Sequence, residues 1–93
     1  MKAQILCQDK HEAIKLASLI FLKDGKETFI TSILNAYDNE LVISLKDHSA
    51  HSILLKDGSQ VEAFADFIQS VLDKESTILD TAVSGELVEI EKS

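Results

Sequence analysis

The sequence has no arginine, no proline and no tryptophan, and a single cysteine, Cys7, in 93 residues. Sixteen acidic residues stand against nine lysines, so the formal net charge is −7. This balance argues against a nucleic-acid binder, because such proteins depend on Lys and Arg contacts with phosphates. It also disfavours a polybasic membrane anchor. One cysteine cannot form an internal disulfide, which is typical of a reducing cytoplasm.

Long hydrophobic runs are also lacking. The longest, residues 19–22, is far below the ~20 residues of a membrane span, and the apolar stretch at 5–7 is too brief for a signal peptide. We therefore expect a cytoplasmic protein. The apolar content of 45% predicts a globular chain, and its length predicts one domain over residues 1–93, without linkers or an internal repeat.

The charge is unevenly distributed along the chain. Residues 1–56 hold seven acids and seven lysines, which cancel. Residues 57–93 hold nine acids and two lysines, which gives the whole net charge of −7. The sequence therefore predicts a neutral N-terminal part and an acidic C-terminal part.

Residues 9–23 are predicted to form a helix, with Asp9 and Glu12 as a capping-box-like pair and Gly25 just beyond its end after Lys23. A broad apolar face follows from the helical spacing. Its residues are Ala13, Ile14, Leu16, Ala17, Ile20 and Phe21.

A β-meander is predicted next, with strands near residues 28–33, 41–45 and 51–55 and polar turns at 37–40 and 46–49. The first strand, which begins at Thr28 and Phe29, also matches helical spacing from Ile30 to Tyr37, so both readings stay open.

A second helix is predicted from a capping box, Ser59-x-x-Glu62. Its apolar positions are Val61, Phe64, Ala65, Ile68 and Leu72, and its opposite face carries Gln60, Glu62, Asp66, Gln69 and Asp73. The fold class is therefore α+β: a helix, a three-stranded antiparallel meander, a second amphipathic helix packed on the sheet, and a small acidic C-terminal element.

Both ends of the chain allow two structures. Residues 76–84 are compatible with a short helix that ends at Gly85, and residues 86–91 with an edge strand or a frayed extension. The opening segment, residues 3–7, is compatible with a short strand or an early helical turn.

Motifs that would indicate catalysis are scarce. The three glycines are isolated, so no phosphate-binding loop is present. Cys7 is expected to be a small buried hydrophobe, and the His48–His51 pair lies in a turn and a strand rather than on one helix face. We expect neither enzymatic activity nor a cofactor nor a bound metal.

The acidic segment is the remaining candidate site. Asp80 is expected to continue the outer face of the second helix, and the last three glutamates to extend its negative field. Such a run of charge is either a solvated surface or a surface that occupies a basic groove on a partner. The candidate partner-binding residues are Glu62, Asp66, Asp73, Glu75, Asp80, Glu86, Glu89 and Glu91.

The order of segments resembles a known family. It has Met1-Lys2-Ala3-Gln4, then the early helix, then Asp38-Asn39 leading into Leu41-Val42-Ile43, and then residues 61–67, VEAFADF. This order resembles the small acidic anti-CRISPR proteins of phages, most nearly a type I-F inhibitor. The chain departs from such proteins in being less acidic, with seven lysines in residues 1–56.

The resemblance implies a non-catalytic inhibitor whose carboxylates mimic the DNA backbone and engage lysine-rich surfaces of a crRNA-guided surveillance complex. By position, Glu62, Asp66, Asp73 and the later acids would carry this role. We therefore expect a protein partner with a basic nucleic-acid-binding surface, no direct nucleic-acid or membrane binding, and a monomer or small homo-oligomer. Two alternatives stay open: an immunity or antitoxin protein that neutralises a basic nuclease toxin, and a housekeeping interaction domain.

Overall fold

The computed structural model describes residues 1–20 and 30–93. It contains two helices and six strands, which confirms the α+β class. In chain order the elements are β1 (Lys2–Leu6), α1 (Lys10–Ile20), β2 (Ile30–Tyr37), β3 (Glu40–Leu45), β4 (Ala50–Leu54), α2 (Gly58–Leu72), β5 (Ile78–Ser84) and β6 (Leu87–Lys92).

The strands form two antiparallel three-stranded sheets. One has the order β2-β3-β4 and is the predicted meander. The other has the order β1-β6-β5 and joins the two ends of the chain. The helix α1 packs against β4, β5 and β6, and α2 packs against β1, β2 and β3.

The chain is built from two βαββ units in succession. The first is β1-α1-β2-β3 and the second is β4-α2-β5-β6. Corresponding elements of the two units begin 48 residues apart: the first strands begin at Lys2 and Ala50, and the helices begin at Lys10 and Gly58. The hairpin of each unit pairs with the first strand of the other unit: β6 of the second hairpin pairs with β1, and β3 of the first hairpin pairs with β4. The expectation that the chain has no internal repeat is therefore wrong.

Burial follows the same repeat. Residues at equivalent positions of the two units enter one hydrophobic core, and in four of the eight pairs both residues are isoleucine. The equivalent buried pairs are Ile5 and Ile53, Cys7 and Leu55, Ala13 and Val61, Leu16 and Phe64, Ile20 and Ile68, Ile30 and Ile78, Leu41 and Val88, and Ile43 and Ile90.

The first helix forms where predicted over its described part, Lys10–Ile20. The backbone N–H of Glu12 donates to Asp9 Oδ1 at 2.9 Å, so Asp9 is the N-cap residue. The buried face is formed by Ala13, Leu16 and Ile20, whereas Ile14 is 51% exposed, so its predicted place on the apolar face is wrong. Ile14 points outward because the helix is covered along a narrower stripe than expected. The predictions for Phe21, Lys23, Gly25, Thr28 and Phe29 concern positions outside the described residues.

The meander strands are confirmed, and the helical alternative for residues 30–37 is wrong. The hairpin between β2 and β3 turns at Asp38, whose φ of 55° is in the left-handed region. The equivalent hairpin between β5 and β6 turns at Gly85, with a φ of 60°.

The second helix also forms where predicted, but it begins differently. Asp57 is its N-cap and accepts a hydrogen bond from Gln60 N at 3.1 Å. The predicted capping box at Ser59 is wrong, because Ser59 lies within the first turn and its hydroxyl donates to Asp57 Oδ1 at 2.6 Å. Val61, Phe64 and Ile68 are buried as expected, and two further residues, Phe67 and Val71, are buried with them.

The C-terminal element is a β-hairpin. The helix considered for residues 76–84 is wrong, since β5 occupies this segment. The edge position considered for residues 86–91 is also wrong, because β6 is the central strand of its sheet. The opening segment is the strand β1 rather than a helical turn. In the described part of the chain, no helix is long and apolar enough to cross a membrane.

Candidate functional site

The exposed side of α2, continued by its C-cap residue Asp73, carries a row of three carboxylates, Glu62, Asp66 and Asp73, which we call the acidic stripe. All three are exposed, whereas the opposite side of the helix is buried in the core. Their spacings of four and seven residues correspond to about 6 Å and about 10 Å along the helix axis. The sequence predicted this arrangement because it follows from helical periodicity alone.

The acidic stripe is not neutralised within the described residues, where no ion pair involves any of its three carboxylates. Among the described residues these side chains take part in one hydrogen bond, a local one from Gln69 Nε2 to Asp73 Oδ1 at 3.0 Å. The stripe therefore presents its negative charge to solvent.

A second group of acids lies on the sheet with the order β1-β6-β5. Asp80 on β5 and Glu91 on β6 are direct cross-strand neighbours, and Glu89 lies two residues before Glu91 on the same face of β6. Glu89 lies 3.6 Å from Lys2 Nζ and accepts a hydrogen bond from Gln4 Nε2 at 3.2 Å. This group is thus partly neutralised by β1.

The remaining predicted site residues lie in turns. Glu75 is exposed just after α2, and Glu86 in the β5–β6 turn lies 3.8 Å from Lys56 Nζ. The prediction that Asp80 continues the outer face of the second helix is wrong, because the chain turns into β5 before it. The eight candidate residues therefore form a stripe of three, a sheet group of three and two separate turn residues.

Comparison with protein-family models, curated proteins and solved structures found no match for this chain. Its own two units provide the informative comparison. Residues 1–48 hold seven acids and six lysines, and residues 49–93 hold nine acids and three lysines, so the units carry −1 and −6. At the α1 positions equivalent to Glu62 and Asp66 stand Ile14 and Ser18, both exposed.

The two units are held together by reciprocal hydrogen bonds that the sequence analysis missed. Leu54 N donates to Glu12 Oε1 at 3.0 Å, and Leu6 N donates to Gln60 Oε1 at 2.8 Å. Each acceptor lies three residues after the N-cap aspartate of its helix. The prediction that Glu12 completes a capping box is therefore wrong, since its carboxylate reaches β4 instead. Alignment of the two N-cap aspartates would have revealed this pair.

Cys7 lies at the contact between the two units, where its backbone pairs with that of Leu55 in antiparallel orientation. It is a free, fully buried thiol, as expected for a small hydrophobe. Burial, with smaller contributions from Glu12, Asp9 and Glu86, raises its pKa to about 11. Such a thiol is a poor nucleophile at neutral pH.

The histidine pair lies around the β3–β4 turn. His51 Nε2 is 3.0 Å from the Ser49 hydroxyl, which donates to Asp47 Oδ1 at 2.5 Å. Hydrogen bonds from Ser49 lower the pKa of Asp47 below its usual value. His48 has a left-handed φ of 70°. No group of three metal-ligating side chains occurs within residues 1–20 and 30–93.

Lys92 replaces a buried hydrophobe of the first unit, since Leu45 occupies the equivalent end of β3. Its ammonium group donates to Phe67 O at 2.5 Å and Ser70 Oγ at 2.8 Å, and it lies 4.3 Å from the centre of the Phe67 ring. Lys92 therefore ties the last strand to α2, the helix that carries the acidic stripe.

Proposed function

We propose that this chain is a non-catalytic inhibitor, acting in the cytoplasm of a bacterial host, that uses the acidic stripe to occupy a basic, nucleic-acid-binding surface of a defence complex. The observation that supports it most directly is the stripe itself: three exposed carboxylates on one helix face, with no ion pair to any described lysine.

The comparison of the two units adds a second argument. Both fold as βαββ, yet one carries −1 and the other −6. Ile14 and Ser18 occupy the positions of Glu62 and Asp66 on α1, so the fold does not require acids there. Carboxylates that the scaffold does not need are more easily explained by a partner than by folding.

The physical basis of such binding is charge complementarity. Carboxylates repeated along a rigid helix present negative charge at fixed intervals, as a nucleic-acid strand does, and attract Lys and Arg of the partner. Two proteins whose exposed surfaces carry opposite charge associate quickly, and salt screens the attraction between those surfaces. Inhibition should therefore weaken strongly as the ionic strength rises.

Competition for DNA tests the proposal. A labelled target duplex is bound to a purified type I-F surveillance complex, and the displaced fraction is measured as the protein is added. The neutralising variant Glu62→Gln with Asp66→Asn and Asp73→Asn should lose competition. The control His11→Lys with Ile14→Lys and Ser18→Lys changes exposed α1 residues and raises the net charge by the same three units, and it should still compete.

Equal competition by the stripe variant and the wild type would contradict the proposed role of α2. A wild-type protein that leaves the surveillance complex on its DNA would contradict this choice of partner. The same pair of variants, assayed against a basic nuclease, would then test the immunity-protein alternative.

A further inference from the structure

The outer edge of β5 carries backbone groups that face away from the sheet. Lys92 N donates to Met1 O at 2.8 Å, so Lys92 and Ile90 on β6 direct their backbone groups toward β1. Thr81 is the cross-strand partner of Ile90. Residues opposite each other in an antiparallel pair either exchange backbone hydrogen bonds or both direct their N–H and C=O groups away from the partner strand. The backbone N–H and C=O groups of Thr81 and Val83 therefore face the outer edge of β5. No strand of the described part of the chain lies there.

Thr81 is incompletely satisfied in this position. Within residues 1–20 and 30–93, its backbone N–H donates only to the neighbouring side chain, Asp80 Oδ1, at 2.9 Å. Its hydroxyl is buried and has no hydrogen-bond partner within the described residues. Two apolar side chains flank it on the same strand, with Leu79 54% exposed and Val83 38% exposed.

We infer that β5 pairs with β5 of a second copy of this chain, antiparallel and with Thr81 on the two-fold axis. Thr81 N–H then donates to Thr81 C=O of the second copy, and the Asp80 carboxylate turns to solvent. The sheets of the two copies become one sheet of six strands. This inference does not depend on the proposed function.

The strand is complementary to itself in this register. Thr81 is the middle residue of β5, so Asp80 of one copy lies opposite Ala82 of the other. Leu79, at the irregularity of β5 between Ile78 and Asp80, then faces Val83 of the other copy. Apolar residues meet apolar residues, the two Asp80 carboxylates do not oppose each other, and the two Thr81 hydroxyls become neighbours on one face. Pairing of β5 with β5 uses the same edge of both copies, so the assembly closes at two copies. Pairing of β5 with β2 of another copy would leave an unpaired β5 and an unpaired β2 at its two ends, so further copies could add without limit.

Net charge gives the dimer a distinctive salt response. Each copy carries −7, so the copies repel each other, and salt should strengthen their association by screening that repulsion. Binding of the acidic stripe to a basic partner responds to salt in the opposite direction.

Sedimentation velocity over a range of protein concentrations and at two salt concentrations tests the inference. The wild type should show a concentration-dependent dimer that is more populated at high salt. The variant Leu79→Lys with Val83→Lys places two like-charged pairs across the axis and should weaken the dimer roughly tenfold or more. The variant Leu79→Lys with Val83→Glu should restore it, because Lys then faces Glu of the second copy.

A matched control lies on the other outer strand. Leu34→Lys with Tyr37→Lys changes two exposed residues of β2 and should leave the dimer intact. Circular dichroism should show that all three variants are folded. A wild type that stays monomeric at every concentration overturns the inference, as does a dimer lost in the β2 variant but not in the β5 variant. A charge-swapped variant that fails to recover would overturn the register.

Discussion

Glu12 in α1 accepts a hydrogen bond from the backbone N–H of Leu54 in β4, at 3.0 Å. The contact joins the helix of one βαββ unit to the first strand of the other, and Gln60 makes the reciprocal contact with Leu6 at 2.8 Å. A glutamate and a glutamine thus perform the same structural task at equivalent positions. Only the side-chain carbonyl-type oxygen is common to both, so the acceptor oxygen is the feature that matters.

Replacement of Glu12 tests this equivalence. Glu12→Ala should lower the free energy of unfolding by about 1–3 kcal/mol, because a backbone N–H near the core loses its acceptor. Glu12→Gln should remain close to the wild type, since Gln60 already fills this role. Urea unfolding measures both. A Gln variant as unstable as the Ala variant would show that the charge of Glu12, which pairs with Lys15 at 2.9 Å, is what stabilises the fold.

Phe64 and Leu16 occupy equivalent, fully buried positions on the two helices. Phe64→Ala should cost about 3–5 kcal/mol and Leu16→Ala about 2–5 kcal/mol, because each leaves a cavity in the shared core. Ile14→Ala serves as the control, with an expected change within about 0.5 kcal/mol, because Ile14 is 51% exposed. Thermal and urea unfolding would detect the difference, and a large effect at Ile14 would contradict its exposed position.

The helix cap at Asp57 gives the protein a defined acid response. Hydrogen bonds from the Ser59 hydroxyl and the Gln60 N–H hold the pKa of Asp57 below its ordinary value of 3.8. The folded pKa is the lower one, so this carboxylate stabilises the fold above pH 3.8 and loses that effect as the pH falls through the folded pKa. Asp57→Ala should lower the urea midpoint at neutral pH, and its difference from the wild type should shrink in acid.

Ser59 provides the comparison for that experiment. Ser59→Ala keeps the bond from Gln60 to Asp57 and should reduce stability less than Asp57→Ala does. A larger loss at Ser59 would restore Ser59 as the capping residue that the sequence pattern indicated.

The buried thiol of Cys7 reports on unfolding. With a pKa of about 11, only about one thiol in a thousand is ionised at pH 8, even before its burial limits access. An aromatic disulfide reagent should therefore modify the native protein at least roughly 100-fold more slowly than the protein in urea. Rapid modification of the native protein would mean that the contact between β1 and β4 opens readily.

The acidic stripe was predictable from sequence because it depends on one local period. Glu62 and Asp66 fall off the apolar stripe of a helix whose spacing is regular, and no tertiary information is needed to place them. The prediction for Asp80 is wrong because its position depends on whether residues 76–84 find a strand partner, which β6 provides from farther along the chain. Strand pairing is non-local, so the residues themselves do not specify it.

The repeat escaped detection because the two units preserve burial throughout but residue identity at only some positions. Asp9 and Asp57 are identical, and so are Ile20 and Ile68, but such matches are scattered, and the spacing of equivalent residues changes from 48 to 47 between Ile20 and Ile43. The other core positions need only a hydrophobe of suitable size, so four of the eight equivalent core pairs differ in residue type and weaken the sequence similarity.

Asp80 is expected to restrain dimer formation through β5. Its carboxylate accepts the Thr81 N–H that a second copy would otherwise use, and it lies beside Glu91 on the same face. Asp80→Ala frees that donor, so the dimer should tighten. Glu75→Ala removes the same charge from an exposed turn and controls for reduced repulsion between copies. In sedimentation velocity the Asp80 variant should dimerise at lower concentration than the Glu75 variant. Equal dimerisation of the two variants would show that Asp80 acts only through its charge and that the edge donor of Thr81 plays no part.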